Sequence, residues 1–258
     1  MSNPNTSWGE VAEWYHTLLE YDVDSYQRAV ILPNLLRLLA LKRGDTVLDI
    51  ACGQGFFAQQ FAQAGTKVTA SDIAPELIAL AKKNIPRGSG TERLTFHVAP
   101  ANNLAFARDG SANKATIIMA IQNIEDLDGT FRECRRILEP SGTLTLVLNH
   151  PAFRIPQASS WGFEGNAIQY RRIDRYLSEA RVKIQMHPGD NPAQHTVTFH
   201  RPLQLYFKIL SRNGFCVRRL EEWVSHRKSQ RGPRTTAEDR ARKEIPLFLA
   251  LEAIRIQY

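Results

Sequence analysis

The chain has 258 residues, 43% of them hydrophobic and 23% charged, the balance of a folded globular protein and not of a disordered one. It carries a formal charge of +7, and charges break every apolar run before the roughly 18 residues that a membrane span needs. The polar first fifteen residues hold no apolar signal core, and Cys52, Cys134 and Cys216 stand far apart with no CxxC pair. This argues against a zinc or redox motif and for a reducing, cytoplasmic setting.

Residues 1–41 read as helical. Trp14, Leu18, Leu19 and Tyr21 form one apolar face, and Val30–Leu39 makes a second helix with Pro33 near its first turn, where proline is tolerated. Gly44-Asp45 marks a turn into Thr46–Ala51, a short β-prone run that ends in glycines. Phe56–Gln63 has helical composition and is closed by Gly65. Lys67–Asp72 reads as a second strand, Pro75–Asn84 as a helix opened by proline, Leu94–Ala99 as a third strand and Thr116–Ile121 as a fourth. Gly129–Leu138 is a helix stopped by Pro140 and Gly142, and Thr143–Leu148 is a fifth strand. Strands alternating with helices at this spacing predict a parallel, doubly wound α/β sheet over residues 44–150, with right-handed crossovers.

The alternation then stops. Ile168–Tyr176 and Val182–Met186 read as a hairpin around Ser178-Glu179-Ala180, with Thr196–His200 as a further strand. The stretch 151–202 is therefore expected to be a β-rich insertion that lies over the open edge of the sheet as a lid. Leu203–Arg212 is a helix, Phe215–Leu220 the sixth strand and Pro246–Ile256 the closing one. Between these two strands lies the basic segment 225–243. From Arg227 to Glu244 it has seven basic and three acidic residues, with Gly232-Pro233 in its middle, and reads as a solvated loop.

The chemistry concentrates in Asp49-Ile50-Ala51-Cys52-Gly53-Gln54-Gly55. Glycines let the turn after a strand approach a ligand closely, and the next helix offers free N–H groups. Asp72 ends the second strand, where a carboxylate can accept the two hydroxyls of a ribose. Gly53 to Ala58 also fits the dinucleotide fingerprint, so loop and acid together specify a nucleoside-bearing ligand without choosing between nicotinamide and sulfonium cofactors. Asp49 tips the choice, because a dinucleotide enzyme usually has an apolar residue there and a buried carboxylate is costly unless paired.

Residues 44–149 resemble a class I S-adenosyl-L-methionine (SAM)-dependent methyltransferase of the small-molecule type. The glycine loop matches that family's first motif and Asp72-Ile73 its second. Pro100-Ala101-Asn102-Asn103-Leu104 occupies the third, and Ile137-Leu138-Glu139-Pro140-Ser141-Gly142-Thr143-Leu144 resembles the family's entry into the fifth strand. Pro100 stands where the family usually has Asp, and Ser141 where it has a glycine. The resemblance implies a Rossmann-like, mostly parallel seven-stranded sheet beneath an N-terminal helical cap over 1–43, with 44–258 as the SAM-binding domain. It places Asp49, Gly53, Gln54 and Gly55 on the methionine side, Asp72 on the ribose, and Ile73, Ala101 and Asn102 around adenine. Ala120 and Gln122 would face the methionine and its methyl group, and Tyr26 would close over SAM from the cap.

For the acceptor side, His150 follows the fifth strand and titrates near neutrality. The pair His200-Arg201 is similar to an element that small-molecule methyltransferases carry before the sixth strand, with Arg201 able to pair with a substrate anion. These three are the expected catalytic residues. The expected reaction is methyl transfer to an O, N or C atom of a small molecule, with anionic molecules among the candidates and S-adenosyl-L-homocysteine as product. The histidines are dispersed, so no metal site is expected. Three alternatives stay open: an RNA or protein methyltransferase using the basic segment, a nicotinamide-dependent oxidoreductase, and a SAM-binding module without catalysis.

Overall fold

The computed structural model describes residues 24–85, 91–187 and 191–257. The helix expected around Trp14 to Tyr21 lies outside these residues. The chain enters through a π-helical turn, Gln27–Ile31, and helix α1, Leu32–Leu39, which ends at Ala40 in the left-handed conformation. Strand β1, Thr46–Ile50, and helix α2, Phe56–Gln63, lead to β2, Lys67–Asp72, and α3, Pro75–Lys83. Then come β3, Leu94–Val98, β4, Ala112–Ile118, α4, Leu127–Ile137, and a long β5, Leu138–Asn149. Two hairpins follow: β6, Ser159–Glu164, with β7, Ile168–Ile173, and β8, Ala180–His187, with β9, Asn191–His200. Helix α5, Leu203–Arg212, strand β10, Phe215–Trp223, helix α6, Thr235–Glu244, and strand β11, Phe248–Arg255, complete the chain.

Seven strands form one sheet in the order β10-β11-β5-β4-β1-β2-β3. All pairs are parallel except those of β11, which runs antiparallel to both β5 and β10. Strand residues alternate between two buried faces, as a sheet covered on both sides requires. Leu48, Ile50, Ile117 and Leu146 pack with Phe131 of α4 and Tyr206 of α5, whereas Val47, Val68, Ile118 and Val147 pack with Leu35, Phe61 and Ile78 of α1 to α3. The chain reverses its direction of travel across the sheet between β1 and β4. Crevices at such switch points, beyond the carboxyl ends of the strands, are where open α/β sheets bind ligands.

Three expectations are corrected. Strand β4 starts four residues before Thr116, because Asn113 pairs by side chain and backbone with Asp45 and Thr46, and it ends at Ile118 because Met119 turns left-handed (φ 56°). Strand β7 pairs backwards with β6, through a turn containing left-handed Gly165, and not forwards with β8; Arg175 (φ 52°) then turns the chain away. Residues 235–244 are helical and not a loop. The helix anchors only through Ala237 and Ala241, one turn apart, which leaves too faint an apolar stripe to read against so many charges.

The β8–β9 hairpin meets the short 3-10 turn Ile121–Asn123 after β4, and β7 packs on α6. No helix among the described residues is long and apolar enough to cross a membrane.

Ser141, where the resemblance leads one to expect glycine, has a φ of 65° and is exposed. A side chain there costs about 1–2 kcal/mol, against which glycine's larger entropy loss sets about 0.5–1 kcal/mol. Ser141→Gly is expected to stabilise the protein by roughly 0.5–1 kcal/mol in urea unfolding. An unchanged or lower midpoint would contradict that account.

Candidate functional site

The turn that follows β1 takes left-handed conformations at Ala51 (φ 54°), Gly53 (φ 59°) and Gly55 (φ 82°). A Cβ on Gly55 would come within 2.7 Å of the Phe96 ring of β3, so this glycine lets α2 close onto the sheet. The turn is tied to β2 by the buried Asp72. Its Oδ2 accepts the N–H of Gly53 at 2.9 Å, and its Oδ1 accepts the N–H of Ala74 at 2.9 Å. Burial raises the pKa of Asp72, and the backbone N–H groups counter that rise.

Asp49 lies buried at the end of β1, opposite Thr116 of β4. Thr116 Oγ1 donates to its Oδ1 at 2.7 Å, and its Oδ2 has no partner among the described residues. Desolvation pushes its pKa up to about 7, against the Thr116 hydrogen bond and helped by the charge of Asp72. Gln54 Oε1 and Gln122 Oε1 are likewise buried acceptors without a partner. A region rich in unfilled acceptors suits a ligand that brings donors or positive charge.

Above these groups opens a cavity of about 530 Å3. Gly53, Gln54, Asp72 and Ile73 line one side of it; Ala101 and Asn102, Met119 and Ala120, and the stretch Asn123–Asp126 line the rest. The far rim is a latch. Asn102 Nδ2 donates to Asp126 Oδ2 at 2.9 Å, while Asp126 Oδ1 caps α4 by accepting the N–H of Gly129 at 2.8 Å. Only glycine fits at position 129, since a Cβ would lie 2.2 Å from the Asp126 carboxylate. The two bonds hold the Asp126 carboxyl below the usual carboxylate range.

Of the residues expected at the site, Gly53, Gln54, Asp72, Ile73, Ala101, Asn102 and Ala120 line this cavity. Asp49 and Gly55 are not among its lining: Asp49 is bonded to Thr116, and Gly55 packs against the Phe96 ring. Gln122 sits beside it, its amide donating to Met119 O at 2.6 Å. Tyr26 does not line it: its hydroxyl bonds Ser225 at 3.0 Å and its ring packs edge-on against His226 and Phe248.

The three residues expected to be catalytic are engaged elsewhere. His150 accepts the N–H of Ala152 at Nδ1 (3.2 Å), so its Nε2 carries the proton that meets Glu222 at 2.8 Å. His200 Nε2 bonds Tyr176 O at 2.8 Å. Arg201 is buried and donates to the carbonyls of Ile124 (2.8 Å) and Glu125 (2.9 Å), stacking 4.7 Å over Phe199. These bonds brace the loop that forms the rim. Among the described residues no cluster of three His, Cys, Asp or Glu side chains is placed to hold a metal ion.

A methyltransferase domain family model matches residues 48–146. Demethylmenaquinone methyltransferase from Chlorobaculum parvum is 31% identical over 150 residues, covering 57% of this chain and 59% of that protein. Ubiquinone biosynthesis O-methyltransferase from Xanthomonas oryzae pv. oryzae is 30% identical over 131 residues, covering 49% of this chain and 54% of that one. The match thus spans a little over half the length of each of these relatives. The crystal structure of an S-adenosylmethionine dependent methyltransferase from Mesorhizobium loti has 25% identity and a TM-score of 0.67, covering 86% of this chain and 96% of that one.

Residues 48–146 match the methyltransferase domain family, and the fold is that of a SAM-dependent methyltransferase.

Every residue that lines the cavity falls inside the matched methyltransferase segment, and the chain beyond it contributes braces such as Arg201 and Thr198, whose hydroxyl donates to Gln122 O at 3.3 Å. Sequence reasoning missed the rim Asn123–Asp126 and the inner wall at Met119. The signal for the rim was present as an acidic cap ahead of the apolar α4 pattern, Asp126-Leu127-Asp128-Gly129. Nothing in the sequence indicates that Met119 turns left-handed.

The raised pKa of Asp49 makes stability depend on pH. The folded chain keeps a proton at Asp49 that the unfolded chain releases, so stability falls as pH rises between about 4 and about 7. Asp72 reinforces the direction. Urea midpoints measured across that window should drop for the native sequence and drop less for Asp49→Asn; parallel slopes would contradict the assignment. Arg201→Gln leaves buried carbonyls unpaired and is expected to cost about 2–4 kcal/mol of stability and to weaken S-adenosyl-L-homocysteine binding, read by calorimetry. Unchanged affinity would show that the rim does not depend on this brace.

Proposed function

We propose that this chain transfers the methyl group of SAM to an oxygen or carbon atom of a small-molecule acceptor, releasing S-adenosyl-L-homocysteine. The observation that carries this reading is the glycine turn bonded to Asp72 beneath a 530 Å3 cavity lined wholly by residues of the methyltransferase segment. Each Asp72 oxygen accepts one backbone N–H and keeps accepting capacity for a ribose hydroxyl. Ile73, Leu77 and Ala101 offer apolar surface to adenine, and Asn102, whose amide N–H is committed to Asp126, has its oxygen left to meet the exocyclic amine. Gly53 and Gln54 with Asp49 below them hold the methionine end, where unfilled acceptors suit an ammonium group. Ala120 and Gln122, at the end of β4, stand towards the sulfur.

When bound, SAM supplies a methyl group activated by a positive sulfonium. The residues of this chain align donor and acceptor in line and keep water out, which is most of what such a displacement needs. His150 spends both ring nitrogens on internal partners, while His200 donates from Nε2 to Tyr176 O and keeps Nδ1 as an acceptor, so alignment is the part of catalysis that needs neither ring. The relatives named for demethylmenaquinone methylation and for O-methylation in ubiquinone biosynthesis support a quinone precursor as the kind of acceptor.

Thermal melts test the reading: S-adenosyl-L-homocysteine is expected to raise the melting temperature by mass action and NAD is not. Asp72→Ala should weaken the product's binding by at least about tenfold, the worth of a charged hydrogen bond. Stabilisation by NAD alone would replace the methyltransferase reading with an oxidoreductase one.

A further inference from the structure

A second, smaller recess of about 80 Å3 opens on the same edge of the sheet. Phe153 and Arg154, just past the end of β5, line it with Trp161 and Arg171 of the β6–β7 hairpin and with Leu247, just ahead of β11. His150 N–H donates to Leu247 O at 2.8 Å and fixes this corner. Strand β5 neighbours β4, whose end at Ile118–Ala120 lines the SAM cavity, so the recess lies one strand away from the expected methyl.

Its two arginines differ in kind. Arg171 is held: Nε donates to Phe153 O at 2.7 Å, a terminal nitrogen donates to Ser159 Oγ at 2.7 Å, and the guanidinium lies 5.1 Å over the Trp161 ring. Arg154 stands exposed at the mouth of the recess with no side-chain hydrogen bond or ion pair to any described residue, and the protein atoms beside it lower the pKa of its guanidinium. Burial lowers Arg171 as well, and the charge of Arg154 adds to it. Neither meets a carboxylate among the described residues. Two guanidiniums that keep their charge and share one recess repel each other until an anion joins them.

We propose that Arg154 and Arg171 bind an oxyanion, a carboxylate or a phosphate, carried by the methyl acceptor. The pair selects anionic small molecules, and it orients them towards the SAM cavity. Arginine forks match an oxyanion with paired hydrogen bonds, and a recess of 80 Å3 takes such a group and little more. Trp161 and Phe153 offer apolar walls to the adjoining carbon skeleton. This inference rests on the methyltransferase reading above.

The test titrates benzoate and inorganic phosphate separately into the full chain at constant ionic strength, following the melting temperature and heats of binding. At least one anion is expected to stabilise the protein, and which one does so tells a carboxylate acceptor from a phosphate one. Arg154→Gln should melt no lower than the native chain without anion, since its guanidinium makes no internal bond, and should bind the anion about tenfold more weakly. Arg93→Gln, the same charge change beside β3, should bind it as the native chain does. Equal anion binding by Arg154→Gln and the native chain, or no response to either anion, overturns the site. S-adenosyl-L-homocysteine is titrated in parallel and should bind Arg154→Gln normally. Its failure to bind the native chain would count against the methyltransferase reading, while the anion titration decides the site on its own.

Discussion

One hydrogen bond organises the ligand edge of this protein: the carboxylate of Asp72 accepting the N–H of Gly53. It joins the turn after β1 to the end of β2, so the two strands beside the switch point present one surface. The turn can form only because Gly53 and Gly55 tolerate positive φ and because Gly55 leaves room for the Phe96 ring. Asp49, one layer below, ties β1 to β4 through Thr116. Two buried carboxylates at one edge cost stability in the absence of ligand, and desolvation raises both. Sites that must meet a cationic or donor-rich ligand carry this kind of local cost.

The polar layer continues away from the site. In register across four strands, Asp49 of β1, Thr116 of β4, Thr145 of β5 and Glu252 of β11 lie side by side on one buried face. Arg218 closes the row at the outer edge, its Nε donating to Glu252 at 2.7 Å. The same face holds Val47 on one side of the row and Ile118 and Val147 on the other, so apolar packing flanks it. The row links the glycine turn to the antiparallel edge of the sheet.

The matched segment and the remainder of the chain divide the work. Residues 48–146 form the cavity. The later residues carry the braces Arg201 and Thr198 and the hairpin with Trp161 and Arg171. The cavity and the smaller recess are thus built from separate pieces of sequence, the recess lying wholly outside the matched segment.

Local rules were enough for much of this. Hydrophobic runs bounded by glycine and proline placed β1, β2, β3 and the helices α2 and α5 within a residue or so, because these elements obey short-range periodicity. The glycine turn was legible because its positive backbone angles demand glycine, and Asp72 because a carboxylate closing the second strand stands out from the uncharged run before it. Pairing was not legible: β7 turns back to β6 through Gly165, a choice between neighbours that the sequence leaves open. Helix α6 was hidden because two alanines suffice to anchor it. The partners of His150, His200 and Arg201 were set by tertiary structure alone: Glu222, Tyr176 O and the carbonyls of the rim. The sequence determined the glycine turn, whose residue types are dictated by backbone geometry. Only the folded chain decided which buried acceptors stay unpaired near it, such as Asp49 Oδ2, Gln54 Oε1 and Gln122 Oε1 among the described residues.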